Sequence, residues 1–436
     1  MILPPIEKKE ELFNFFKNAE TSQANYRIGT EHEVFLFDAK SLKRATADQI
    51  QILLDQWSKI EGIPVKEGKN TVGLKIEDRT LSLEPGGQFE LSGAPLENLH
   101  ETFKEIEGHQ KTLLHLANGL GLLVLPLGAD PFTQLADRSW MRKERYKIMR
   151  PYMATKGALG HEMMTGSCTV QVNLDFKSER DMIRKMRIGI ALQPLATALF
   201  ANSPLSKGGI NGYQSIRRAF WEETDPDRCG LLDFVFEDTF GYERYIEYAI
   251  NVPLYFVRRK GRYLNVAGIP FKTFLEGNLE ALPGEKPTLQ DWDDHLTTIF
   301  TEARLKRFIE MRGADSGSTP QLMSLPGFWT GLLYDDTILQ RIYDLIQTWQ
   351  VREIKDLSSQ VARKGLYASF QGESLWDLAY EVVSLSQEGL RSRNREEEVY
   401  LQPLFDMLDS KKSFADQTLE AFRKAQNPST FIKNIL

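Results

Sequence analysis

The segment CTVQVNLDF at residues 168–176 alternates strictly between apolar and polar side chains. Successive side chains of a β-strand point to opposite faces of the sheet, so the two valines and Leu174 would share one face and Gln171 and Asn173 the other. This alternation is typical of an antiparallel strand with one buried face. The segment therefore predicts a sheet whose second face carries polar groups, and that face is the candidate for function.

Polar side chains two positions apart occur on three further predicted strands. They are Glu31 and Glu33 in the segment 26–38, Gln88 and Glu90 after Gly87, and Glu310 and Arg312 in the segment 305–312. A fifth carboxylate, Glu84, comes just before Pro85-Gly86-Gly87, a step that must break or sharply bend the chain. Four separate strands are thus each expected to present polar groups to one side of the sheet.

The remaining predicted elements follow a mixed order along the chain. Helices are predicted at 6–19, 47–60, 97–119 and 178–201, strands at 72–76, 79–84 and 121–127, a hairpin at 254–266, and mainly helices after 319. Because this is neither regular βαβ alternation nor an all-helical pattern, it favours an α+β fold with an antiparallel sheet. No linker-like stretch appears. We therefore predict one catalytic unit over 1–436, with the active-site sheet in 1–336 and a mainly helical part in 337–436.

The composition is that of an ordinary globular protein and excludes several classes. The chain has 436 residues, a net charge of −6 and only two cysteines. The charge argues against a nucleic-acid-binding surface, and the cysteine count argues against a disulfide framework. Without 18 consecutive apolar residues, no membrane span or membrane partner is expected. The first residues do not resemble a leader peptide, so we predict a cytoplasmic protein.

Several carboxylates on one face of a sheet require compensation, because each buried charge without a partner costs several kcal/mol. Oxygen ligands with few thiols and few histidines favour Mg²⁺, or Mn²⁺, over zinc, and Mg²⁺ commonly accompanies nucleotide phosphates. A single Glu-x-Glu pair is more often the solvated face of an edge strand, and Pro-Gly-Gly alone predicts only a turn. The sequence lacks a GxxxxGK[ST] loop, a GxSxG elbow and an HExxH pair. Pattern alone therefore indicates a metal-dependent enzyme and leaves its use of ATP open.

Long motifs in the same order give the chain a more specific resemblance. They are IGTEHE (28–33), LEPGGQFELSGAP (83–95), RYKIMRPYM (145–153), CTVQVNLDF (168–176), LQPLATALFANSP (192–204), WDDHLTTIFTEARLKRFIEMRGAD (292–315) and FWTGLLYDD (328–336). With these segments the sequence resembles the plant-type glutamate–cysteine ligases, which also occur in many bacteria. The resemblance implies a glutamine-synthetase-like catalytic fold, in which a curved antiparallel sheet surrounded by helices holds metal ions between ATP and a carboxylate.

The resemblance also implies roles for the polar residues of the four strands. It implies a metal-ligand set of Glu31, Glu33, Glu84, Glu90 and Glu310. Gln171 and Asn173 are implied to face the same site and bind substrate. Arg145 and Arg217 match arginines that the family uses on substrate carboxylate and phosphate, and Arg312 would join them in catalysis.

The implied reaction is the ATP-dependent ligation of the glutamate γ-carboxylate to the amine of cysteine through a γ-glutamyl phosphate, the first step of glutathione biosynthesis. Mg²⁺ is the implied cofactor, and glutamate, cysteine and ATP are the implied small-molecule partners. Two alternatives remain open: another carboxylate–amine ligase that uses glutamate with a different amine, and a non-catalytic binding protein on the same scaffold. The sequence shows no heptad seam, and we predict a monomer or weak homodimer.

Overall fold

The computed structural model of the protein describes residues 4–425 and 427–435 and is built around an antiparallel sheet of nine strands. The strands are β1 (Ile28–Asp38), β2 (Ile63–Glu67), β3 (Asn70–Ile76), β4 (Arg79–Leu83), β5 (Phe89–Ser92), β6 (Leu122–Leu125), β7 (Thr169–Leu174), β8 (Ala303–Leu305) and β9 (Ile309–Asp315). Their spatial order is β8-β9-β7-β1-β5-β4-β3-β2, and β6 pairs with the second half of β1. The sheet therefore places β7, β1 and β5 at its centre.

Helices of very different length surround this sheet. They are α1 (Lys9–Lys17), α2 (Ala47–Trp57), α3 (Leu99–Gly119), α4 (Glu144–Met153), α5 (Gly160–Gly166), α6 (Glu179–Leu199), α7 (Ile216–Glu222), α8 (Tyr242–Asn251), α9 (Phe271–Leu275), α10 (Leu289–Leu296), α11 (Thr319–Leu333), α12 (Asp336–Ile346), α13 (Val351–Lys364), α14 (Leu375–Ser392), α15 (Gln402–Ser410), α16 (Phe414–Lys424) and α17 (Pro428–Ile435). Several begin at a side-chain cap: the Ser178 hydroxyl, for example, accepts a hydrogen bond from the third main-chain N–H of α6, as its sequence position predicts.

One face of the sheet is covered by helices, and the other is left for the polar side chains. Val172 of β7 and Met311 of β9 are direct cross-strand partners, and α6 and α11 pack on them. Both belong to one continuous hydrophobic cluster that also contains Leu339 of α12 and Val383 of α14. The C-terminal helices thus share a core with the sheet. The division of the chain at residue 336 stays a prediction.

Two glycines bring α11 and α14 into direct backbone contact. A β-carbon built on Gly331 would lie 2.8 Å from the carbonyl carbon of Ser386, and one built on Gly389 would lie 2.8 Å from the carbonyl carbon of Gly331. Both distances are shorter than atoms tolerate, so only glycine fits at this crossing. The helix α11 is buried on every side from Leu322 to Leu333. Helices α12, α14 and α15 of the C-terminal part pack against it.

The Pro-Gly-Gly step forms a tight bend between β4 and β5. The main-chain N–H of Gly87 donates to the Glu84 carbonyl oxygen at 2.8 Å, and Gly87 has a positive φ of 79°. At Gly86 the chain passes so close to α5 that an added β-carbon would lie 2.6 Å from the Cα of Thr165. The Gln88 side chain then donates to main-chain carbonyls at 2.8 and 3.2 Å. The bend is thereby fixed against α5.

The structure divides one predicted strand and contains strands that the sequence patterns did not predict. The strand predicted at 305–312 is two strands, β8 and β9, joined by a turn at 306–308, because the chain reverses where a single run was read. Strand β2 was not predicted; its residues are mostly exposed, so it lacks apolar alternation. The C-terminal part also contains a short hairpin, Ser369–Phe370 with Glu373–Ser374. The hairpin predicted at 254–266 is present as Phe256–Arg259 and Arg262–Asn265.

Among the described residues, no helix has both the length and the apolar character that crossing a bilayer requires. Cys168 and Cys229 are both free thiols. Residues 1–3 of the N-terminal segment, on which the absence of a leader was predicted, lie outside the described part of the chain.

The close approach at Gly86 gives a stability test. Gly86→Ala should lower the free energy of unfolding by about 1–3 kcal/mol, the usual cost of overpacking, because the rigid Thr165 backbone cannot move away. Gly108→Ala is the matched control: it lies on the exposed face of α3 with no atom within 4 Å of the new methyl group. It should stabilise the protein by about 0.5–1 kcal/mol. Urea melts of both variants make the comparison, and a Gly86→Ala protein as stable as wild type would contradict the packing described here.

Candidate active site

The polar face of the sheet forms the floor of a cavity of about 310 Å³. Strand register explains which side chains meet there. Glu31 lies opposite Gln171 of β7, and Glu33 lies opposite Glu90 of β5. Directly opposed side chains in an antiparallel pair leave the sheet on the same side, so three strands deliver four polar side chains to one floor.

The three floor carboxylates are held by neutral donors. The Thr169 main-chain N–H donates to Glu33 at 3.1 Å, the Asn173 amide donates to Glu31 at 3.2 Å, and the hydroxyls of Ser82 and Ser92 donate to Glu90. In the described part of the chain, no lysine or arginine nitrogen comes within 4.0 Å of these three carboxylates. Their charges are therefore hydrogen-bonded but not neutralised.

This arrangement raises the pKa of each floor carboxylate. Burial, together with the charges of Glu310 and Glu90, raises the pKa of Glu31 from 4.5 to about 7. Burial and the charges of Glu84 and Glu90 raise the pKa of Glu33 well above its ordinary value. Burial and the charge of Glu84 also raise the pKa of Glu90. The three groups repel one another's negative charge, which is the condition that a bound cation relieves.

Glu84 lies at the rim of the same cavity, beside an arginine of α4. The Arg145 guanidinium is 3.6 Å from the Glu84 carboxylate and donates to the Tyr146 hydroxyl at 3.1 Å. The Tyr146 hydroxyl in turn donates to the Leu83 carbonyl at 2.8 Å. Both contacts of Arg145 leave from one of its nitrogens, and its side chain lines the cavity.

Glu310 differs from the other four predicted metal ligands. It is fully buried, does not line the cavity, and receives two hydrogen bonds from Arg304 at 2.7 and 2.8 Å and one from Arg312 at 2.6 Å. Burial alone would raise the pKa of Glu310, but the two arginines outweigh it and lower the pKa to about 2. The predicted ligand is thus an ion-paired carboxylate in this structure.

Arg217 and Arg312 line the cavity from different elements. Arg217, from α7, is only 3% exposed and donates to the Arg312 carbonyl at 3.0 Å. The Arg312 side chain also donates to the Gln171 amide oxygen at 2.5 Å. This contact follows from a bulge, because β9 inserts Arg312 and Gly313 opposite the single residue Gln171. Asn173 bonds to Glu31 just outside the set of lining residues.

The oxygen donors of the floor fit a hard divalent cation. Glu33 and Glu90 are buried and Glu31 is half-buried, none of them has a positively charged partner within 4.0 Å in the described part of the chain, and Mg²⁺ prefers such oxygen ligands. Over residues 4–425 and 427–435, no group of three or more His, Cys, Asp or Glu side chains is already drawn together to metal-binding distances. The chemistry of the donor set therefore fits a metal ion, whereas binding would require the carboxylates to converge.

Sequence patterns missed the walls of the cavity. The walls include Tyr146, Met149, Trp221, Phe256, Phe300, Arg304 and Lys306. Most of these side chains come from helices and loops, where no alternation marks which side faces a site. One signal was available: Arg304 and Lys306 are basic residues two positions apart, like the polar pairs on the other strands.

The match to a family model covers nearly the whole chain. The model described as glutamate–cysteine ligase family 2 matches residues 27–431, which include every side chain of the cavity named above. The chain belongs to glutamate–cysteine ligase family 2. The prediction made from the seven sequence motifs is confirmed for the family and for the type of enzyme.

Curated members of the family are similar to this chain along most of its length. It is 46% identical over 420 residues to the chloroplastic glutamate–cysteine ligase of Nicotiana tabacum, a match that covers 95% of this chain and 80% of the relative. The chloroplastic glutamate–cysteine ligase B of Oryza sativa subsp. japonica is equally similar, with 95% and 84% covered. The predicted cytoplasmic location is contradicted by these relatives, which are named as chloroplast proteins. That prediction relied on the first few residues, which are a poor guide to location.

Two solved ligase structures share the fold. The glutamate–cysteine ligase of Francisella tularensis, solved with AMP, has a TM-score of 0.59 at 13% identity, with 95% of this chain and 88% of that chain covered. A bifunctional glutathione synthetase from Pasteurella multocida has a TM-score of 0.52 at 14% identity, with 98% and 53% covered. The predicted α+β ligase fold of this family member is confirmed.

The raised pKa of Glu31 predicts how the metal-free enzyme responds to pH. Since the folded-state pKa of about 7 lies above the ordinary 4.5, the protonated form stabilises the fold; this contribution is complete below pH 4.5 and is lost as the pH rises through 7. In EDTA, Glu31→Gln should therefore be more stable than wild type at alkaline pH, by about 2 kcal/mol, and lose this advantage in acid.

Thermal melts at several pH values, with EDTA or with Mg²⁺, measure this difference. Mg²⁺ should stabilise wild type more at alkaline than at acidic pH, because protons compete for the same oxygens. Glu280→Gln, at an exposed position away from the cavity, is the matched control and should show no such pH-dependent gain. Equal stability of wild type and Glu31→Gln at every pH in EDTA would show that the floor carboxylates do not destabilise one another.

Proposed function

We propose that this chain joins the γ-carboxylate of glutamate to the amine of cysteine at the expense of ATP, through a γ-glutamyl phosphate. The observation that carries the proposal is the polarity of one cavity: uncompensated carboxylates form its floor, and arginines with free donors form its walls. A metal–nucleotide complex needs the first feature, and anionic substrates need the second. Family membership supports the same reaction, and the AMP bound to the related Francisella ligase supports an adenine nucleotide.

Glu31, Glu33 and Glu90, with Glu84 at the rim, would hold Mg²⁺, with Mn²⁺ as an alternative. When bound, the metal would neutralise phosphate charge and reduce the repulsion between ATP and a carboxylate nucleophile. Glu310 belongs to the ligand set that the family resemblance implies. It would have to exchange a contact with Arg304 to reach a metal.

The side chains of this chain would act mainly by positioning and charge neutralisation, as is usual in phosphoryl transfer. Arg145 and Arg217 would hold the substrate carboxylate or the transferred phosphoryl group, since an arginine fork bonds two oxygens at once. Arg312, aligned by Gln171, would support the same charge from the sheet. Trp221 and Phe300 on the wall would exclude water, which would otherwise hydrolyse the intermediate.

The two steps balance without a covalent enzyme intermediate. An oxygen of the γ-carboxylate attacks the γ-phosphorus, and ADP leaves with the bridging oxygen. The deprotonated cysteine amine then attacks the acyl carbon, and phosphate leaves with the original carboxylate oxygen. The amine proton is released in this step. One oxygen atom of glutamate is therefore transferred to phosphate.

Oxygen transfer and product analysis test the proposal together. With MgATP, cysteine and glutamate labelled with ¹⁸O in the γ-carboxylate, the protein should form γ-glutamylcysteine, ADP and phosphate carrying one ¹⁸O. EDTA should abolish turnover and Mg²⁺ should restore it. A panel of other amines in place of cysteine tests the alternative ligase: faster product formation with another amine would favour it, and phosphate without label would contradict the acyl-phosphate route.

The arginines provide a second prediction. Arg145→Lys and Arg217→Lys keep the charge but lose the bidentate geometry, so activity should fall by about 1–3 kcal/mol in transition-state stabilisation, the range for one charge-assisted hydrogen bond. Arg150→Lys is the matched control, since Arg150 lies on the same helix as Arg145 with its guanidinium over Trp140, 4.5 Å from the ring centroid. It should keep wild-type kinetics.

Steady-state kinetics with each substrate varied separately also separates the roles of these arginines. A rise in KM alone indicates binding in the ground state, and a fall in kcat indicates action on the transferred group. If both lysine variants behave like Arg150→Lys, neither arginine contributes to the site.

A further inference from the structure

The cations around the cavity differ in how their donors are used. Arg304 makes two hydrogen bonds to Glu310 and two to main-chain carbonyls at 2.8 and 2.9 Å. Arg312 donates to Glu310 and to Gln171. All three nitrogens of Arg304 are therefore committed to buried protein groups, whereas both bonds of the Arg312 side chain leave from one nitrogen.

Lys306 is the contrasting case. It occupies the turn between β8 and β9 and lines the same cavity. Within the described part of the chain, its ammonium has no carboxylate within 4.0 Å, and it lies over the Phe308 ring, 4.9 Å from the centroid. The Lys306 main-chain N–H donates to the Phe308 carbonyl at 2.8 Å and closes the turn. The turn thus places a positive charge without a carboxylate partner on the wall of the cavity.

We propose that Lys306 binds an oxyanion of a substrate, either a carboxylate oxygen or a phosphate oxygen, in the reaction proposed above. The inference rests on that proposed function. An ammonium group is a compact point charge that suits a single oxygen, whereas Arg145 and Arg217 offer forks. Lys306, Arg145 and Arg217 would contact an anionic ligand from three different elements of the fold.

The electrostatics of the turn support this role. Burial and the neighbouring charge of Arg304 lower the pKa of Lys306, while Glu310 and Glu31 act in the opposite direction. Arg304 and Arg312 contact Glu310 directly and bring two positive charges to one carboxylate, so Lys306 adds only a longer-range attraction to that carboxylate. An anionic oxygen in the cavity would supply the missing partner.

A purely structural explanation makes a different prediction. If Lys306 only balanced the distant charges of Glu31 and Glu310, its removal would change stability or kcat but would raise no individual KM. A residue that contacts a substrate oxygen should instead raise the KM of that substrate, and arginine at the same position should restore part of the affinity.

The test compares Lys306→Met and Lys306→Arg with Arg307→Met. Arg307 is the matched control because it lies in the same turn, is exposed, and stacks over Phe15 with its guanidinium 4.2 Å from the ring centroid. We expect Lys306→Met to raise the KM of one substrate about tenfold or more, the effect of one lost charge-assisted hydrogen bond. Lys306→Arg should recover part of this loss, and Arg307→Met should match wild type.

Varying glutamate, cysteine and MgATP separately identifies the oxyanion, since a raised KM for the amino acids indicates a carboxylate and one for MgATP indicates a phosphate. Equal KM values in Lys306→Met and Arg307→Met, or a loss of kcat alone, would overturn the inference while wild-type turnover still upheld the proposed function. If wild type forms no product, the proposed function fails by itself. In that case, calorimetry measures the affinity of wild type and Lys306→Met for glutamate, cysteine and a non-hydrolysable ATP analogue. Affinities that are the same in both proteins would overturn the inference.

Discussion

The opposition of Glu33 and Glu90 across β1 and β5 is the constraint around which the site is organised. Like charges directly opposite each other weaken a strand pair, and here neither has a cationic partner in the described structure. The pair persists because the other face of the same strands is packed against helices, so the register cannot slip without exposing apolar side chains. The sheet thereby holds acidic groups together at an electrostatic cost, which the proposed metal ion would reduce.

The register of β1, β5 and β7 explains how much of the site could be predicted from the sequence. Alternation in 168–176 identified both faces of β7, and even spacing identified Glu31, Glu33 and Glu90 before any partner strand was known. Pairing then followed, since side chains on the polar faces of neighbouring antiparallel strands must meet. The Pro-Gly-Gly bend was also predictable, because positions where two backbone segments come close together, or where φ is positive, favour glycine.

Other parts of the site depend on contacts that no periodicity records. Glu310 was expected to bind metal like its counterparts, but the turn at 306–308 folds Arg304 back onto it, and that turn was hidden inside an apparently continuous strand. Trp221 and Phe256 reach the cavity from a helix and a hairpin that are distant in sequence. The sequence likewise does not show which nitrogens of each arginine bond to protein groups, because these bonds depend on the tertiary structure.

The glycine crossing of α11 and α14 has a consequence for how this molecule can be cut or recombined. Helix α11 is buried on all sides from Leu322 to Leu333, and the segments after residue 336 supply part of its cover. A fragment that ends there would expose the hydrophobic residues of α11 to water and would aggregate. A graft of foreign C-terminal helices would need a glycine at the position that packs against Gly331. Modular shuffling is therefore disfavoured at this joint, and fusion partners belong at the chain ends.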